Sequence, residues 1–363
     1  MKTVVYVDLH VIQSVPPSCL NRDDTGSPKT AIYGGARRAR VSSQAWKRTM
    51  RLMFKERFNE ADLGARTLLI FGMIADEIIK LEPDTTRDKA MKLAQDVLKV
   101  VDIDHSAKNE NKVDALFFLG TQQAQKLAGL ALGNLSRKDA KKEIIQALND
   151  NPAVDIALFG RMVAANPLLN CDASAQVAHA ISTHRTENEY DYYVAVDDLK
   201  PKDSTGAGMI GTVEYNSATL YRYATVAVHC LFEQLAKNET ALSKAISEFA
   251  RAFIISMPTG KQNTFAANTI PDAVLATIRT DRPITFVGAY ETPVRASDGE
   301  GLIPASMRAL VKYAQDIYTD FCPTPKISYT AGQYLHELGE YKPFDELCVT
   351  LGNEATKLVA PKA

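Results

Sequence analysis

The sequence predicts an α+β fold with insertions, and three observations carry this prediction. Residues 3–13, TVVYVDLHVIQ, alternate between apolar and polar positions and are rich in valine, as in a half-buried strand. Residues 61–150 form a series of helical segments separated by polar turns, which indicates an inserted helical subdomain. Strands and helices alternate elsewhere without a Rossmann fingerprint, so a doubly wound sheet fits less well.

Composition and length place the chain among folded soluble proteins. Its 363 residues suggest about two domains, or one domain with a large insertion. Hydrophobic residues make up 46% and charged residues 23%, which is ordinary for a globular protein. The N-terminus does not resemble a signal peptide, and no run approaches the roughly 18 apolar residues of a membrane span. Five scattered cysteines favour reduced thiols, so we expect a cytoplasmic protein without membrane contact.

The first helix is predicted after a long loop, SVPPSCLNRDDTGSPKT, that follows the opening strand. We expect this helix to begin at Ser42 or Ser43, because a serine can cap the free N–H groups of the first turn. A buried stripe at helical spacing is formed by Trp46, Met50, Met53, Phe54 and Phe58. A cationic edge on a neighbouring face is formed by Lys47, Arg51 and Lys55. The apolar stripe therefore anchors a helix that presents positive charge.

The rest of the chain returns to the sheet. Residues 185–217 are acidic and rich in tyrosine and glycine, which favours a projecting hairpin or loop. Strands are predicted at 154–164, 174–184, 219–232 and near 272–278. Helices are predicted at 243–257, 303–321 and 344–359.

Charge is unevenly distributed, although the formal net charge is only -1. Between residues 29 and 57 a single acid, Glu56, stands among nine basic residues: Lys29, Arg37, Arg38, Arg40, Lys47, Arg48, Arg51, Lys55 and Arg57. Residues 187–203 carry six acids, including Asp197 and Asp198, against two lysines. This asymmetry indicates a site for a polyanion on one face of the protein.

The basic segment combines several features of an anion site. Glycines at 34 and 35 permit unusual backbone angles or a close approach by a ligand. Arginines at 37, 38 and 40 offer forked donors for phosphates, and the serines at 42 and 43 lie at a helix N-terminus. A solvated basic face is the simpler interpretation, but this convergence favours nucleic acid. Tyr190, Tyr192 and Tyr193 could stack on bases, or could simply pack within a hairpin.

Catalytic signals are weak. The segment TGKQNT at 259–264 fails as a phosphate loop, because Ile255 replaces the first glycine and Gln262 replaces Ser or Thr. The six histidines lack metal-ligand spacing, and no serine or cysteine nucleophile shows an elbow motif. The paired acids Asp23-Asp24 and Asp197-Asp198 would suit a nuclease, although adjacent acids in loops are usually solvated turn residues. We expect no enzyme activity, no metal and no cofactor.

Seven segments together resemble a known family. They are PPSCLNRDD (16–24), GGARRARVSSQAWKR (34–48), VDIALFGRM (154–162), AHAISTH (178–184), AVDDL (195–199), LYRYA (220–224) and GKQNTFA (260–266). In this order they resemble the Cascade backbone subunits of type I-E CRISPR systems, also called CasC. The set covers about the first three quarters of the chain. Residues 61–150 and the C-terminal hundred residues match only in length and style.

The resemblance implies a protein shaped like a right hand. It implies an RRM-like (ferredoxin-like) palm from residues 1–60, 166–185 and 218–363, helical fingers at 61–165 and a thumb hairpin at 186–217. Family members stack head to tail in about six copies along the guide-RNA spacer, and each thumb turns out every sixth nucleotide, while the other bases stay free to pair with target DNA. Implied partners are the crRNA, target DNA through the guide, large, small, Cas-five-type and crRNA-processing subunits, and a recruited nuclease.

The resemblance also assigns roles to individual residues. It implies that the RNA backbone is held by Arg22, Arg37, Arg38, Ser42, Gln44, Lys47, Arg48, Lys261, Gln262, Asn263 and Thr264. Met162 corresponds to an apolar residue that packs against bases, and Tyr192-Tyr193 stand where relatives can carry Trp-Phe in the thumb. Two alternatives stay open: a guide-dependent RNA endonuclease using Asp23 or Asp24, as in related type III subunits, and a structural protein unrelated to nucleic acid.

Overall fold

The fold is described from a computed structural model covering residues 4–195, 198–199, 209–297 and 299–360. It is a mixed α+β fold, as predicted. Its strands are β1 (Tyr6–Ser18), β2 (Thr30–Tyr33), β3 (Ala36–Val41), β4 (Gly64–Thr67), β5 (Phe117–Gly120), β6 (Ala175–Val177), β7 (Ala180–Ser182), β8 (Glu189–Ala195), β9 (Met209–Ala227), β10 (Ala273–Arg279), β11 (Ile327–Gly332) and β12 (Glu340–Tyr341). Its α-helices are α1 (Ser43–Arg57), α2 (Ile70–Leu81), α3 (Arg87–Lys99), α4 (Thr121–Ala131), α5 (Ala140–Asn149), α6 (Val154–Phe159), α7 (Val228–Gln234), α8 (Glu239–Ile255), α9 (Gln262–Phe265), α10 (Leu302–Asp320) and α11 (Phe344–Val359).

The centre of the fold is an antiparallel sheet around β1, which pairs with β9 on one side and β10 on the other. Val7 lies opposite Val226 on β9 and Ile278 on β10. Because β6 pairs with β9 as well, four strands lie in the order β10-β1-β9-β6. With α1 and α8 as crossovers, the chain order is βαββαβ, the arrangement of ferredoxin-like folds. This topology confirms the predicted palm architecture.

Three apolar clusters hold these layers together. One face of the sheet is covered by α1, α8 and α11, whose Trp46, Phe249 and Leu351 are fully buried. The opposite face packs against α10, where Leu310 contributes to the smallest cluster. A separate cluster lies between Ile70 and Leu169 and joins α2, α3, α4 and α5. This helical region therefore has a core of its own, while the domain limits at 60, 165, 185 and 217 stay predictions.

Helix α1 forms as its sequence predicts. Ser42 is the N-cap, and its side-chain hydroxyl accepts a hydrogen bond from the backbone N–H of Ala45 at 3.4 Å. Trp46, Met50 and Phe54 are fully buried against the sheet, and Phe58 is nearly so. The predicted anchoring stripe is confirmed.

The strand predicted at 154–164 is wrong. Residues Val154–Phe159 form α6, and Gly160 ends the helix with φ +78°, a conformation that favours glycine. The five residues from Val154 to Leu158 are all buried. A short run that is apolar on every side has no period that separates a buried strand from a buried helix, which explains the error.

A two-stranded hairpin projects from the sheet. Strand β8 pairs with the first part of β9 from Glu189–Tyr215 to Ala195–Met209, and every residue of β8 is exposed. The later part of β9 continues into the sheet beside β1. This is the projecting hairpin predicted from composition; Asp197 and residues 200–208 lie outside the described part of the chain.

Candidate nucleic-acid interface

The loop after β1 is tied to the N-terminus of α1. The side-chain oxygen of Asn21 accepts a hydrogen bond from the backbone N–H of Ser42 at 2.9 Å. Next to it, one carboxylate oxygen of Asp23 accepts from the N–H groups of Thr25 and Ser27, both at 3.0 Å. These bonds fix the loop and leave Arg22 exposed beside the helix N-terminus. The loop thus adds a cation to an end of the helix that already favours anions.

The first turns of α1 present three polar side chains. Gln44 and Arg48 are exposed, while Lys47 is half-buried with its ammonium 5.9 Å from the centre of the Phe159 ring. Burial lowers the pKa of Lys47, because removing an ammonium group from water disfavours its charged form. Ser42 is buried, and its hydroxyl caps the helix, so its side chain stabilises the helix end beneath this surface.

A second loop reaches this surface through a backbone contact. A Cβ atom on Gly260 would lie 2.2 Å from the carbonyl oxygen of Leu20, so only glycine allows the two loops to touch. The next residue, Lys261, has φ +46°, which is uncommon for a residue with a side chain. Lys261 and Arg22 both lie close enough to Cys19 to oppose the rise in its thiol pKa that burial causes. The two cations therefore converge on one place.

The remaining predicted residues of the second loop lie in α9, a single helical turn. Asn263 and Thr264 are exposed, and the side-chain amide of Gln262 hydrogen-bonds to Asn268. Asn263 and Thr264 therefore offer two free polar side chains on the same loop as Lys261.

The base of the hairpin meets both loops. The centre of the Tyr215 ring lies 5.7 Å from that of Phe265, which belongs to the Lys261 loop. Hydrogen bonds from Ser27, Tyr190 and Asn188 together hold the pKa of the Glu214 carboxyl below its usual range. Since Ser27 belongs to the loop after β1, the hairpin base is connected to both cationic loops.

The three arginines of β3 have different surroundings: Arg37 lies on one face of the strand, and Arg38 and Arg40 lie on the other, because successive side chains alternate. Arg37 is exposed near the hairpin, where its charge opposes the rise that Glu214 causes in the pKa of Tyr190. Arg40 is half-buried and hydrogen-bonds to Thr30 and His179.

Arg38 is fully buried. Its guanidinium donates to the carbonyl oxygens of Thr183 and Tyr290, both at 2.8 Å, and to three further carbonyls. The structure does not bring Arg38 to the surface where its sequence assignment would need it. Gly34 likewise serves the fold, since a Cβ atom there would collide with the carbonyl oxygen of Glu291.

Met162 stands out from a fixed loop. Its side chain is 82% exposed, whereas its neighbours Arg161 and Val163 are buried. Arg161 donates to the carbonyl oxygens of Leu169 at 2.9 Å and Leu148 at 2.8 Å. The exposed thioether is therefore held in place by an anchored backbone. Met162 follows three residues after Phe159, whose ring faces Lys47.

Several residues of this architecture are missing from the sequence prediction. Arg222, at the centre of LYRYA, is fully buried and stacks over the Trp46 ring at 3.8 Å. Gln13 and Asn21 supply hydrogen bonds that position the two loops. The sequence does contain one signal for Arg222, because a charged residue within an apolar strand pattern indicates a buried cation. It does not indicate the partners of that cation.

The described residues hold no group of three or more His, Cys, Asp or Glu side chains that could bind a metal ion. Two of the histidines have structural surroundings. His10 is buried and His184 accepts a hydrogen bond from the backbone N–H of Thr219 at 3.1 Å. None of the five cysteines, all within the described ranges, forms a disulfide, as predicted. None of the helices in the described ranges combines the length and apolar character needed to cross a bilayer.

Comparison with known proteins shows the family of this chain. The family described as CT1975-like protein matches residues 7–347, which is most of the chain. The chain belongs to this family. A solved chain titled "CRISPR RNA-guided surveillance complex, pre-nicking" is 32% identical with a TM-score of 0.80, and the alignment covers 96% of this chain and 100% of that one. Another, titled "CRISPR RNA-guided surveillance complex", is 29% identical with a TM-score of 0.62, covering 96% and 99%. No curated protein matches the chain.

Proposed function

We propose that this chain is a component of a CRISPR RNA-guided surveillance complex and acts there as a non-catalytic backbone subunit that binds the guide RNA. The observation that carries the proposal is the meeting of Arg22, the N-terminus of α1 and Lys261 across the contact between Gly260 and Leu20. Exposed Arg22 and half-buried Lys261 beside a helix N-terminus form a site for successive phosphates of one strand. The two similar chains from RNA-guided complexes support the same assignment.

The finer parts of the proposal follow from the family resemblance. About six copies would stack along the spacer in a type I-E Cascade, with other subunits and a recruited nuclease, and would serve antiviral defence. Each hairpin would reach over RNA held by the adjacent copy and displace one base. The bases between would stay free to pair with target DNA, so that base pairing reads the sequence while the protein reads backbone and shape. Exposed Tyr192 on the hairpin and exposed Met162 in the loop after α6 suit such contacts with bases.

The alternative of an RNA endonuclease gains no support from the geometry of Asp23. One of its carboxylate oxygens is already engaged by the turn formed with Thr25 and Ser27. Asp24 is exposed next to it, outside any metal-binding group among the described residues.

The deciding experiment is to purify the protein and look for RNA that it protects from nuclease. We expect bound RNA with a footprint that repeats at a regular interval. If each subunit neutralises about four phosphates, the logarithm of the association constant should fall with the logarithm of salt at a slope near -2.8. Protein that is free of RNA and does not bind added single strands would contradict the proposal and favour a structural protein unrelated to nucleic acid.

A further inference from the structure

Arg222 lies in the middle of β9 and is only 1% exposed. Its guanidinium is 3.8 Å from the centre of the Trp46 ring and 4.8 Å from that of Phe253. It donates to the carbonyl oxygens of Phe253 and Ile254, and to the side-chain oxygen of Gln13. A buried cation thus connects the sheet, the first helix and the end of α8.

The surroundings of Arg222 explain how its charge is tolerated. No ion pair found among the described residues includes it, and burial lowers its pKa to about 9. Burying a cation without a carboxylate is costly. The two carbonyls that it contacts belong to the last turn of α8, where a helix leaves carbonyl groups without partners and carries partial negative charge. The end of the helix therefore takes the place of a counter-ion.

The same network holds both ends of the loop that carries Lys261. Phe253 and Ile254 precede this loop directly. The side-chain amide of Gln13, which accepts from Arg222, donates to the carbonyl oxygen of Thr269 at 2.9 Å and to the sulfur of Met257 at 3.0 Å. Met257 and Thr269 are the two stems of the loop. Arg222 therefore reaches both stems, one of them through Gln13.

The network also reaches the first helix. Trp46, on which the guanidinium of Arg222 stacks, immediately precedes Lys47 in α1. The Thr49 hydroxyl, one turn further, lies 3.3 Å from the Ser256 hydroxyl at the start of the Lys261 loop. The buried Arg222 side chain therefore lies between α1 and the Lys261 loop, the two elements that carry the proposed phosphate contacts. It contacts Trp46 within α1 and the residues that directly precede the loop.

We propose that Arg222 is a positioning residue that fixes the distance between the Lys261 loop and the first turns of α1, so that one RNA backbone can contact both. The inference rests on the proposed function, since it assumes that Lys261 binds RNA. Arg222 itself is too deeply buried to touch a phosphate. Its effect on RNA must pass through the placement of Lys261.

A double-mutant cycle tests this inference. The affinity for a single-stranded RNA is measured for the wild type, Lys261→Ala, Arg222→Gln and the double variant. We expect Lys261→Ala to weaken binding about tenfold in the wild type but less than twofold in the Arg222→Gln protein, because a displaced loop no longer offers its lysine. Gln13→Met removes the hydrogen bonds of Gln13 to Met257 and Thr269 while the direct contacts of Arg222 with Phe253 and Ile254 remain. It replaces Arg222→Gln if that variant does not fold, and the effect of Lys261→Ala should again be reduced.

Arg279→Gln provides the matched control. Arg279 is a buried arginine on β10 whose guanidinium pairs with Asp281, away from both loops. We expect Lys261→Ala to keep its full effect in this background. An equal effect of Lys261→Ala with and without Arg222, or a loss of that effect in Arg279→Gln as well, would overturn the inference. Wild-type protein that fails to bind RNA would instead overturn the proposed function, and this inference with it.

Discussion

The ring of Tyr193 lies across Gly211 on the facing strand, so closely that a Cβ atom at position 211 would come within 2.4 Å of the ring. An aromatic ring over a cross-strand glycine covers backbone that would otherwise face water. Tyr192 precedes it on the strand and therefore points to the other face of the hairpin, where it is 64% exposed. The two tyrosines of this dipeptide thus have different surroundings, and of the two only Tyr192 presents most of its ring to a ligand.

Tyr192→Ala should weaken the regular spacing of the nuclease footprint on bound RNA. It should leave the melting temperature nearly unchanged, because the exposed Tyr192 ring contributes little to the stability of the fold. Tyr193→Ala is the matched comparison. It should destabilise the hairpin by about 1 kcal/mol, since it removes a cross-strand pair, and any effect on RNA should follow from that loss. A normal footprint in Tyr192→Ala would argue that the other face contacts the bases.

Lys47→Ala should lower RNA affinity to a similar extent for all guide sequences, because Lys47 is assigned to phosphates and not to bases. The slope of log affinity against log salt should become shallower by about 0.7, the value for one phosphate contact on a single strand. Filter binding over a range of salt concentrations measures both. Lys55→Ala, on the same helix but exposed near its other end, serves as the control and should change neither. A loss confined to particular sequences would contradict the phosphate assignment.

Arg38→Ala should lower the free energy of unfolding by about 3–5 kcal/mol, because it leaves several buried carbonyl oxygens without a donor. Its exposed neighbour gives the contrast: Arg37→Ala should keep the stability and reduce RNA affinity. Urea denaturation and RNA titration of the two variants separate these effects. Similar stability of both variants would show that the buried network is dispensable.

We expect no cleavage of an RNA complementary to the guide, with or without divalent metal ions. The test uses end-labelled target RNA and compares the wild type with Asp23→Ala and Asp24→Ala. Regularly spaced, metal-dependent products from the wild type that disappear in either variant would establish the endonuclease and overturn the non-catalytic assignment. Asp23→Ala should also loosen its own turn, because the carboxylate accepts hydrogen bonds from Thr25 and Ser27.

The pH dependence of stability should carry two opposing contributions from β1. Burial raises the pKa of Asp8 from 3.8 to about 6, so this group favours the folded state at low pH and loses that effect as pH rises through about 6. Burial lowers the pKa of His10 from 6.5 to about 3, so this group favours the folded state above about 6.5 and loses that effect as pH falls.

Replacing one of these two residues should reveal the pH dependence of stability that the other contributes. Relative to the wild type, Asp8→Asn should become less stable as pH falls from about 6 to about 4, by on the order of 2 kcal/mol, because His10 then acts unopposed. His10→Phe should show the reverse trend, and its ring can keep the stacking on Phe286. Urea unfolding at several pH values provides the measurement. Parallel pH curves for the wild type and both variants would contradict these assignments.

Much of the fold follows from the sequence, because its local patterns agree with the tertiary structure. The cap at Ser42, the apolar stripe of α1 and the exposed hairpin are all local signals. Helix α6 is missed because its residues are buried on every side. Whether Arg37 or Arg38 is buried depends on which face of β3 meets the protein interior, and composition alone does not contain that information. Pattern therefore locates the basic segment, and only packing separates Arg37 from Arg38.

The contact between Gly260 and Leu20 joins two loops through their main chains, without any charged group. Placement and charge are therefore separate variables in this surface. Alanine at position 260 would push the loops apart while every lysine and arginine remains. Neutralising Lys261 would do the converse. Comparing RNA affinity in the charge-neutral variant Gly260→Ala with that in a variant lacking the Lys261 ammonium separates the effect of where the cations lie from the effect of how many there are.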